Sequence, residues 1–199
     1  MNELKLYYPH KPYYVTQNWG NPNPQYSEHF NDPNFKLHNG IDAIGRSTVI
    51  NGVMHAEHPV YCPVEGFTVH KVQYVPKGGG NEVWFISDKP LVMFERTCYA
   101  YMVICHAKRI FVKPGDKLAL GELMLIADST GFSTGLHTHM GLYRVEYDGI
   151  SVTKYDDQND ATGSFNPAPF FTGAYSVDKA TVPTLVKSGL RLAQYKVGF

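Results

Sequence analysis

Short runs in which hydrophobic and polar positions partly alternate recur along the chain from residue 59. Residues 59–75 (PVYCPVEGFTVHKVQYV) are followed by a glycine-rich turn at 77–81 and by a second run, EVWFIS, at 82–87. A run of β-branched and aromatic residues covers 97–106, and residues 112–127 form an extended pair bent at two glycines. Strands separated by turns about every 8–12 residues predict an all-β fold, an open antiparallel sandwich or a barrel.

The two ends of the chain lack this rhythm. Residues 1–37 are dense in asparagine, proline and glycine, which predicts loops with short extended pieces and argues against a helix interior. NPAPFF at 166–171 is typical of a closing turn. Residues 173–199 fit a short helix and a strand equally well, so the structure and role of this tail stay open. At 199 residues the chain is long enough for one domain with its own core, which we place at residues 1–172.

Composition excludes several classes of protein. Hydrophobic residues make up 43% of the chain and charged residues 18%, which is typical of a globular domain. Eighteen basic and 18 acidic residues balance without a basic stripe, so we expect no nucleic-acid partner. No stretch approaches the ~18 apolar residues of a membrane-spanning helix, so we expect no membrane partner. Three cysteines without a CxxC pair predict free, partly buried thiols from a reducing compartment.

Two histidines lie one residue apart in GLHTHMGLY, residues 135–143. Because side chains alternate between the faces of a strand, His137 and His139 point to the same side. Two imidazoles aimed into one space need a water molecule, a shared proton or a metal ion between them.

A second candidate pair lies upstream in KLHNGIDAIG, residues 36–45. His38 and Asp42 are four residues apart, but Gly40 disfavours a helix, so we expect a turn that brings imidazole and carboxylate together. Histidine nitrogen and carboxylate oxygen are zinc ligands, and three protein ligands with an open water position are typical of catalytic zinc. One histidine of the downstream pair would complete this set, and the other would handle protons of the water.

In order and in several spacings, these motifs resemble those of the lysostaphin-type zinc endopeptidases, the M23 or LytM-like peptidases. The resemblance covers about residues 15–172. Its most specific parts are the HxxxD motif, the HxH motif preceded by STG, and a single histidine ahead of KPGD. NPAPFF resembles the asparagine-proline-aromatic segment that closes the family's domain.

The resemblance implies a role for each of five residues. His38, Asp42 and His139 match the family's zinc ligands. His137 matches a general base or proton shuttle, and His106 matches a second non-ligand group that orients water or stabilises the developing oxyanion. The implied fold is an open antiparallel sandwich built from a duplicated hybrid motif, with long loops around a peptide-binding groove.

Residues outside these motifs are assigned on weaker signals. Trp19 and Tyr26 precede His38 and are candidate substrate contacts in the groove. Residues 46–57 are longer than the family's usual connection, so we expect an extra loop or hairpin on the groove wall. Cys105 is expected to be a buried thiol on the opposite side of its strand from His106. The remaining histidines are expected to be solvated surface or loop residues: His10, His29, His55, His58 and His70.

The implied function is zinc-dependent hydrolysis of a peptide bond in the stem peptide or cross-bridge of bacterial peptidoglycan, by a monomer. The N-terminal sequence lacks the apolar core of a signal peptide. We therefore expect a phage lysin, a virion-associated enzyme or a chain trimmed of its leader, acting outside the cell, in the wall or in the periplasm. Two alternatives stay open: a non-catalytic cell-wall-binding or regulatory module of the same fold, and a phosphocarrier domain with paired histidines, in which the HxxxD turn would have no purpose.

Overall fold

The computed structural model describes residues 3–10, 14–45, 48–50, 53–55, 58–154 and 163–172, so the tail at 173–199 lies outside the described residues. The strands are β1 (Tyr14–Gln17), β2 (Ile41–Ile44), β3 (Thr48–Ile50), β4 (Val53–His55), β5 (His58–Tyr61), β6 (Phe67–Val75), β7 (Gly80–Ser87), β8 (Leu91–Met93), β9 (Arg96–Ile104), β10 (Ala107–Ile110), β11 (Lys117–Leu118), β12 (Leu123–Ala127), β13 (Thr138–Tyr147), β14 (Val152–Lys154) and β15 (Ser164–Phe165). A short helix, α1 (Pro24–His29), and a 3-10 turn at Ala168–Phe170 complete the structure. The prediction of an all-β fold is confirmed.

Ten of these strands form one antiparallel sheet. Its order is β1-β2-β13-β9-β7-β6-β11, and β14 and β15 pair with β13 while β8 pairs with β9. Strand β13 is central, because it pairs with β2 on one side and with β9 on the other. The outer strands β1 and β11 do not pair with each other, so the sheet is open, as predicted, and not closed into a barrel.

A three-stranded sheet, β10-β12-β5, supplies the second layer of the sandwich. The core contains side chains of both sheets, among them Phe85, Met102 and Leu142 from the large sheet and Val60 and Leu125 from the small one. All five are fully buried. Alternation along each strand therefore leaves every second side chain of β7, β9 and β13 on the other face of the large sheet.

That other face carries a separate apolar cluster. Tyr101, Val103 and Tyr143 are buried in it, and Trp84 packs against it half-buried. His139 lies four residues before Tyr143 in β13, an even spacing that puts both side chains on the same face of the strand. The candidate functional residues therefore lie on the face of the large sheet that is turned away from the small sheet.

Two segments outside the sheets bear on the sequence-based expectations. The expectation of loop and extended structure throughout residues 1–37 was wrong at α1, because Pro24 occupies the first turn and the side chain of Asn23 accepts a hydrogen bond from Gln25 N at 3.1 Å. Within residues 46–57, the described strands β3 and β4 pair antiparallel with each other, which fits the expected hairpin.

All three cysteines are free thiols in the structure. Cys62, Cys98 and Cys105 are each at most 5% exposed, so they are more completely buried than the partly buried thiols that were expected. Within the described ranges, no helix has both the length and the apolar character needed to cross a bilayer.

Candidate metal centre

Strand pairing brings two of the predicted ligands together. Asp42 of β2 lies directly opposite His139 of β13. Their neighbours Ile41 and Met140 are buried and also paired, which directs Asp42 and His139 to the opposite face of the sheet. A Cβ atom on Gly40 would lie only 2.6 Å from the His139 ring, so the glycine lets this imidazole lie against the start of β2.

His38 is held by the segment that precedes it in sequence. Its backbone N–H donates to the carbonyl of Asn21 at 2.9 Å, and its own carbonyl accepts from Gly20 N–H at 2.7 Å. Its Nδ1 donates to the carbonyl oxygen of Asn18 at 3.0 Å. Because a carbonyl oxygen can only accept, a neutral His38 carries its proton on Nδ1 and presents a lone pair on Nε2.

Three donor atoms converge at one point. His38 Nε2 lies 3.0 Å from Asp42 Oδ1, and His139 Nδ1 also lies 3.0 Å from Asp42 Oδ1. The two nitrogens are 3.0 Å apart. Among the described residues, this is the group of histidine, cysteine and acidic side chains whose atoms are close enough to share a metal ion.

A single proton on His139 Nδ1 can be shared between Asp42 Oδ1 and a bare His38 Nε2, but each acceptor then receives only part of one hydrogen bond. Without that proton, two lone pairs and a carboxylate oxygen face one another; with a second proton, two N–H groups face each other. One cation between them satisfies all three. Zinc lies about 2.0–2.2 Å from nitrogen and carboxylate oxygen, so the ligand atoms of a tetrahedral site are roughly 3.3 to 3.6 Å apart, a few tenths of an ångström more than the 3.0 Å observed. The observed donor set fits a zinc ion.

The charge state of Asp42 suits the same conclusion. Burial raises the pKa of its carboxyl, but hydrogen bonds and charges of His139 and His38 outweigh burial and hold the pKa well below its usual value. The carboxylate is therefore ionised at neutral pH, which is the form that a metal ligand requires.

The two predicted catalytic histidines lie beside this cluster. His137 Nε2 is 3.5 Å from Asp42 Oδ2, and His137 Nδ1 donates to the carbonyl of Gly135 at 2.8 Å. The ring of His106 is 4.5 Å from that of His137, centroid to centroid. His106 Nδ1 donates to the carbonyl of Thr130 at 2.7 Å, and burial lowers the pKa of His106 to about 4. A neutral imidazole on either residue thus has Nε2 as its free acceptor.

The expectation that Cys105 and His106 face opposite sides was wrong. Both border the groove that contains His139. The backbone of His106 has φ of 64°, a left-handed conformation that breaks strand alternation immediately after β9. A hydrogen bond from His106 N–H to the carbonyl of Gly79, 2.7 Å long, holds this conformation in place.

The two aromatic candidates fall in different places. Tyr26 borders the groove, with its ring centroid 6.3 Å from that of His38. Burial and the charge of Asp42 raise the pKa of Tyr26 to about 12, so its hydroxyl stays protonated. Trp19 is not among the residues that border the groove, and its indole N–H donates to Ser164 Oγ at 2.9 Å.

Two of the remaining histidines differ from expectation. His10 is buried and its Nε2 lies 2.7 Å from Thr138 Oγ1. His58 is half-buried in β5, where its Nδ1 donates to the carbonyl of Gly45 at 2.9 Å. His10 thus contacts the first residue of β13 and His58 contacts the residue that follows β2, so the expectation of solvated residues was wrong for them.

The other histidines have varied surroundings. His29 is exposed, as expected, and stacks on Phe132 at 3.6 Å between ring centroids. His70 is half-buried and meets Tyr101 edge-on at 5.5 Å. The side chain of His55 lies outside the described residues.

Sequence reasoning missed the contact between two glycine loops that supports His106. A Cβ on Gly131 would overlap the backbone of Gly78 and Gly80, so the two loops are in direct backbone contact. Phe132 N–H donates to the carbonyl of Gly78 at 2.8 Å. The available signal was the glycine content of both loops, GGG and STG, which sequence alone classes only as turns.

Comparison with known proteins gives matches among solved structures. No family model matches the chain, and no curated protein matches it. The catalytic domain of the antimicrobial peptidase lysostaphin from Staphylococcus simulans matches with a TM-score of 0.54 and 19% identity, over 80% of this chain and 92% of that one. A zinc-containing peptidase from Vibrio cholerae matches with a TM-score of 0.51 and 19% identity, over 77% of this chain and 39% of that one.

The chain has the lysostaphin-type peptidase fold. This confirms, for the fold, the resemblance found in the motifs. A chain of the SpoIIQ–SpoIIIAH pore-forming complex matches with a TM-score of 0.52 and 17% identity, over 85% of this chain and 92% of that one. The lysostaphin-type fold thus occurs in peptidases and in a pore-forming complex, so function has to be argued from the site.

Proposed function

We propose that this chain is a zinc-dependent endopeptidase that hydrolyses peptide bonds of bacterial peptidoglycan and acts at the cell wall. The observation that carries the proposal is the convergence of His38 Nε2, Asp42 Oδ1 and His139 Nδ1 at mutual distances of 3.0 Å. Two more imidazoles lie beside them: His106 borders the groove, and His137 Nε2 lies 3.5 Å from Asp42 Oδ2. The shared fold of lysostaphin and of a zinc-containing peptidase supports it.

Three of these residues would hold the metal and two would act on the reacting groups. A bound zinc ion supplies Lewis-acid polarisation of the scissile carbonyl and lowers the pKa of a water molecule at its open position. His137, whose Nδ1 is fixed by the carbonyl of Gly135, accepts a proton at Nε2 and passes it to the leaving amine.

The role of His106 follows from its hydrogen bond and burial. Its pKa of about 4 keeps it neutral, and its Nδ1 proton is committed to the carbonyl of Thr130. The remaining Nε2 can accept a hydrogen bond but cannot donate one. Of the two roles implied by the resemblance, this arrangement favours orienting the water molecule over stabilising an oxyanion.

The test uses the full chain, stripped of metal with a chelator and reloaded with zinc. We expect the zinc-loaded protein to clear peptidoglycan and to release fragments whose masses identify the cleaved bond. Digests of walls with glycine bridges, with D-alanine-containing bridges and with direct cross-links compare the substrates. A zinc-loaded protein that releases no fragment from any of these walls would overturn the proposal.

The alternative of a non-catalytic module is favoured by one observation, the match to a chain of a pore-forming complex. Such a module would sediment with peptidoglycan and leave it intact. The retained group of His38, Asp42 and His139 argues against this alternative, because binding to the wall does not require three convergent ligand atoms. Sedimentation and fragment release, measured on the same sample, separate the two functions.

A further inference from the structure

A buried carboxylate borders the groove beside the candidate metal centre, and the proposed hydrolysis does not use it. Glu82 of β7 is 5% exposed. It lines a cavity of about 180 Å³ together with His106 and His139. Glu82 Oε1 accepts from the N–H of Gly79 at 3.1 Å, and the carbonyl of Gly79 accepts from His106 N–H at 2.7 Å. One residue therefore connects this carboxylate with a candidate catalytic histidine.

The hydrogen-bond donors to Glu82 are neutral. Besides Gly79 N–H, they are the amide of Gln73 and the indole N–H of Trp84, each 2.7 Å from Oε2. None of the ion pairs formed by the described residues includes Glu82. The ammonium of Lys71 lies instead over the ring of Trp84, 4.8 Å from its centroid. A buried carboxylate without a cationic partner is unfavourable, and binding a cation offsets that penalty.

The hydrogen bonds account for both oxygens of Glu82 but leave its charge uncompensated. Gly79 N–H donates to Oε1, whereas Gln73 and Trp84 donate to Oε2, so the single carbonyl oxygen of a glutamine could not accept from both sides. All three donors are neutral, and no cation of the described residues pairs with the carboxylate. A cation that enters the cavity would meet this uncompensated negative charge.

The walls of the cavity suit a cationic ligand. Aromatic rings of Tyr26, Phe132, Trp84 and Tyr143 border it. The faces of such rings attract an ammonium group, and the carboxylate supplies the opposite charge. We propose that Glu82 binds the primary ammonium group of a residue next to the scissile peptide bond. This inference rests on the proposed function, and it names the substrate class: peptides with a free amine beside the cut.

Two sources offer this chemistry, a lysine-type side chain of the stem peptide and the α-amine of a short or incomplete bridge. The test compares three probes with the same acetylated stem N-terminus: a lysine-containing stem pentapeptide with a free Nε-amine, its Nε-acetyl form, and its Nε-glycyl form, which carries the free α-amine of an incomplete bridge. We expect the peptides that lack the recognised amine to have kcat/KM lower by about tenfold or more with the zinc-loaded chain. The form that retains activity identifies the source. Equal kcat/KM for the three peptides would overturn the proposal, and this comparison needs no variant to fold.

Variants then assign the preference to Glu82. In Glu82→Gln, the ratio of kcat/KM between free and acetylated peptide should fall to about twofold or less. Gln73→Met removes a donor to Glu82 Oε2 but keeps the charge of Glu82, and Gln73 does not border the cavity, so this variant should keep the preference. A ratio in Glu82→Gln equal to that of the wild type contradicts the assignment.

Binding measurements separate this inference from the proposed function. Calorimetry with the same three peptides gives Kd for the wild type and for Glu82→Gln. If no peptide is cleaved but the free amine still binds about tenfold more tightly to the wild type, hydrolysis is wrong and the role of Glu82 stands. If all three peptides are cleaved and bound equally well, hydrolysis stands and the role of Glu82 is wrong.

Discussion

The imidazole of His139 occupies the space in which residue 40 would carry a Cβ atom. A Cβ built on Gly40 would lie 2.6 Å from Cε1 and from Nε2 of His139, and equally close to the carbonyl oxygen of Met140. That oxygen belongs to the backbone of β13, which pairs with β2 at this point, so the strand cannot shift freely. The glycine between His38 and Asp42 is thus required for the three donor atoms to meet.

Replacing this glycine should weaken metal binding without removing a ligand. We expect Gly40→Ala to displace the His139 ring and to lower zinc affinity about 10- to 100-fold, with a parallel loss of hydrolysis. Zinc titration against a competing chelator measures the change. Glu146→Ala, at an exposed position of the same strand, serves as the control and should bind zinc like the wild type. Wild-type affinity in Gly40→Ala would show that His139 is not a ligand.

Substitutions of Asp42 and His137 should have different effects: the first should remove the metal, and the second should remove proton transfer while the metal stays bound. Asp42→Ala removes the oxygen shared by both ligand histidines, so the protein should no longer retain zinc. His137→Ala should keep stoichiometric zinc while the rate of peptide hydrolysis falls by about 10²- to 10⁴-fold. Elemental analysis and a peptide assay on the same preparations check both results. Equal loss of zinc in the two variants contradicts the assigned roles.

The contact of Gly131 with the loop at 78–80 should affect the position of His106, and therefore hydrolysis, more than it affects metal binding. Gly131 has φ of 76°, and a Cβ there would overlap the backbone of Gly80. We expect Gly131→Ala to destabilise the fold by about 1–3 kcal/mol and to lower hydrolysis while zinc content is retained. Thermal unfolding, elemental analysis and the peptide assay measure the three effects. Normal activity with unchanged stability would mean that the loops separate without consequence.

The residues that meet at the candidate metal centre could be predicted because local rules place them. Strand alternation puts His137 and His139 on the same side, and both approach Asp42 in the structure. The glycine after His38 argues against a helix in the HxxxD segment, and the segment indeed has no helix: the chain bends at Gly40 and enters β2 at Ile41, so Asp42 lies in a strand and not in a turn. The open antiparallel fold likewise follows from short strands and regular turns.

The features that could not be predicted depend on long-range contacts or on unusual backbone conformation. His10 is buried and makes a hydrogen bond with Thr138, which lies 128 residues further along the chain. No local sequence pattern indicates this contact. The positive φ of His106 turns its side chain to the same groove as Cys105. Glu82 lies in an ordinary strand pattern, and its position beside the candidate metal centre depends on the pairing of β7 with β9.

Acid should destabilise the fold through His10. Burial lowers the pKa of this histidine from 6.5 to about 4. The hydrogen bond with the backbone of Pro59 raises the pKa, and the charge of His58 lowers it, but both effects are smaller than that of burial. Between these pH values the unfolded chain binds a proton that the folded chain does not, so the free energy of unfolding falls as the pH falls. Above pH 6.5 His10 costs no stability. As the pH falls from 6.5 to about 4, the free energy of unfolding decreases through His10 by on the order of 3 kcal/mol.

Substitution of His10 should therefore flatten the pH dependence of stability. We expect His10→Gln to show a smaller loss between pH 6.5 and pH 4 than the wild type, measured by urea unfolding with a chelator present so that metal binding adds nothing. His29→Gln removes an exposed histidine and should follow the wild-type curve. A wild-type slope in His10→Gln would mean that His10 is already protonated in the folded chain, because only a group that differs in protonation between the two states changes that slope.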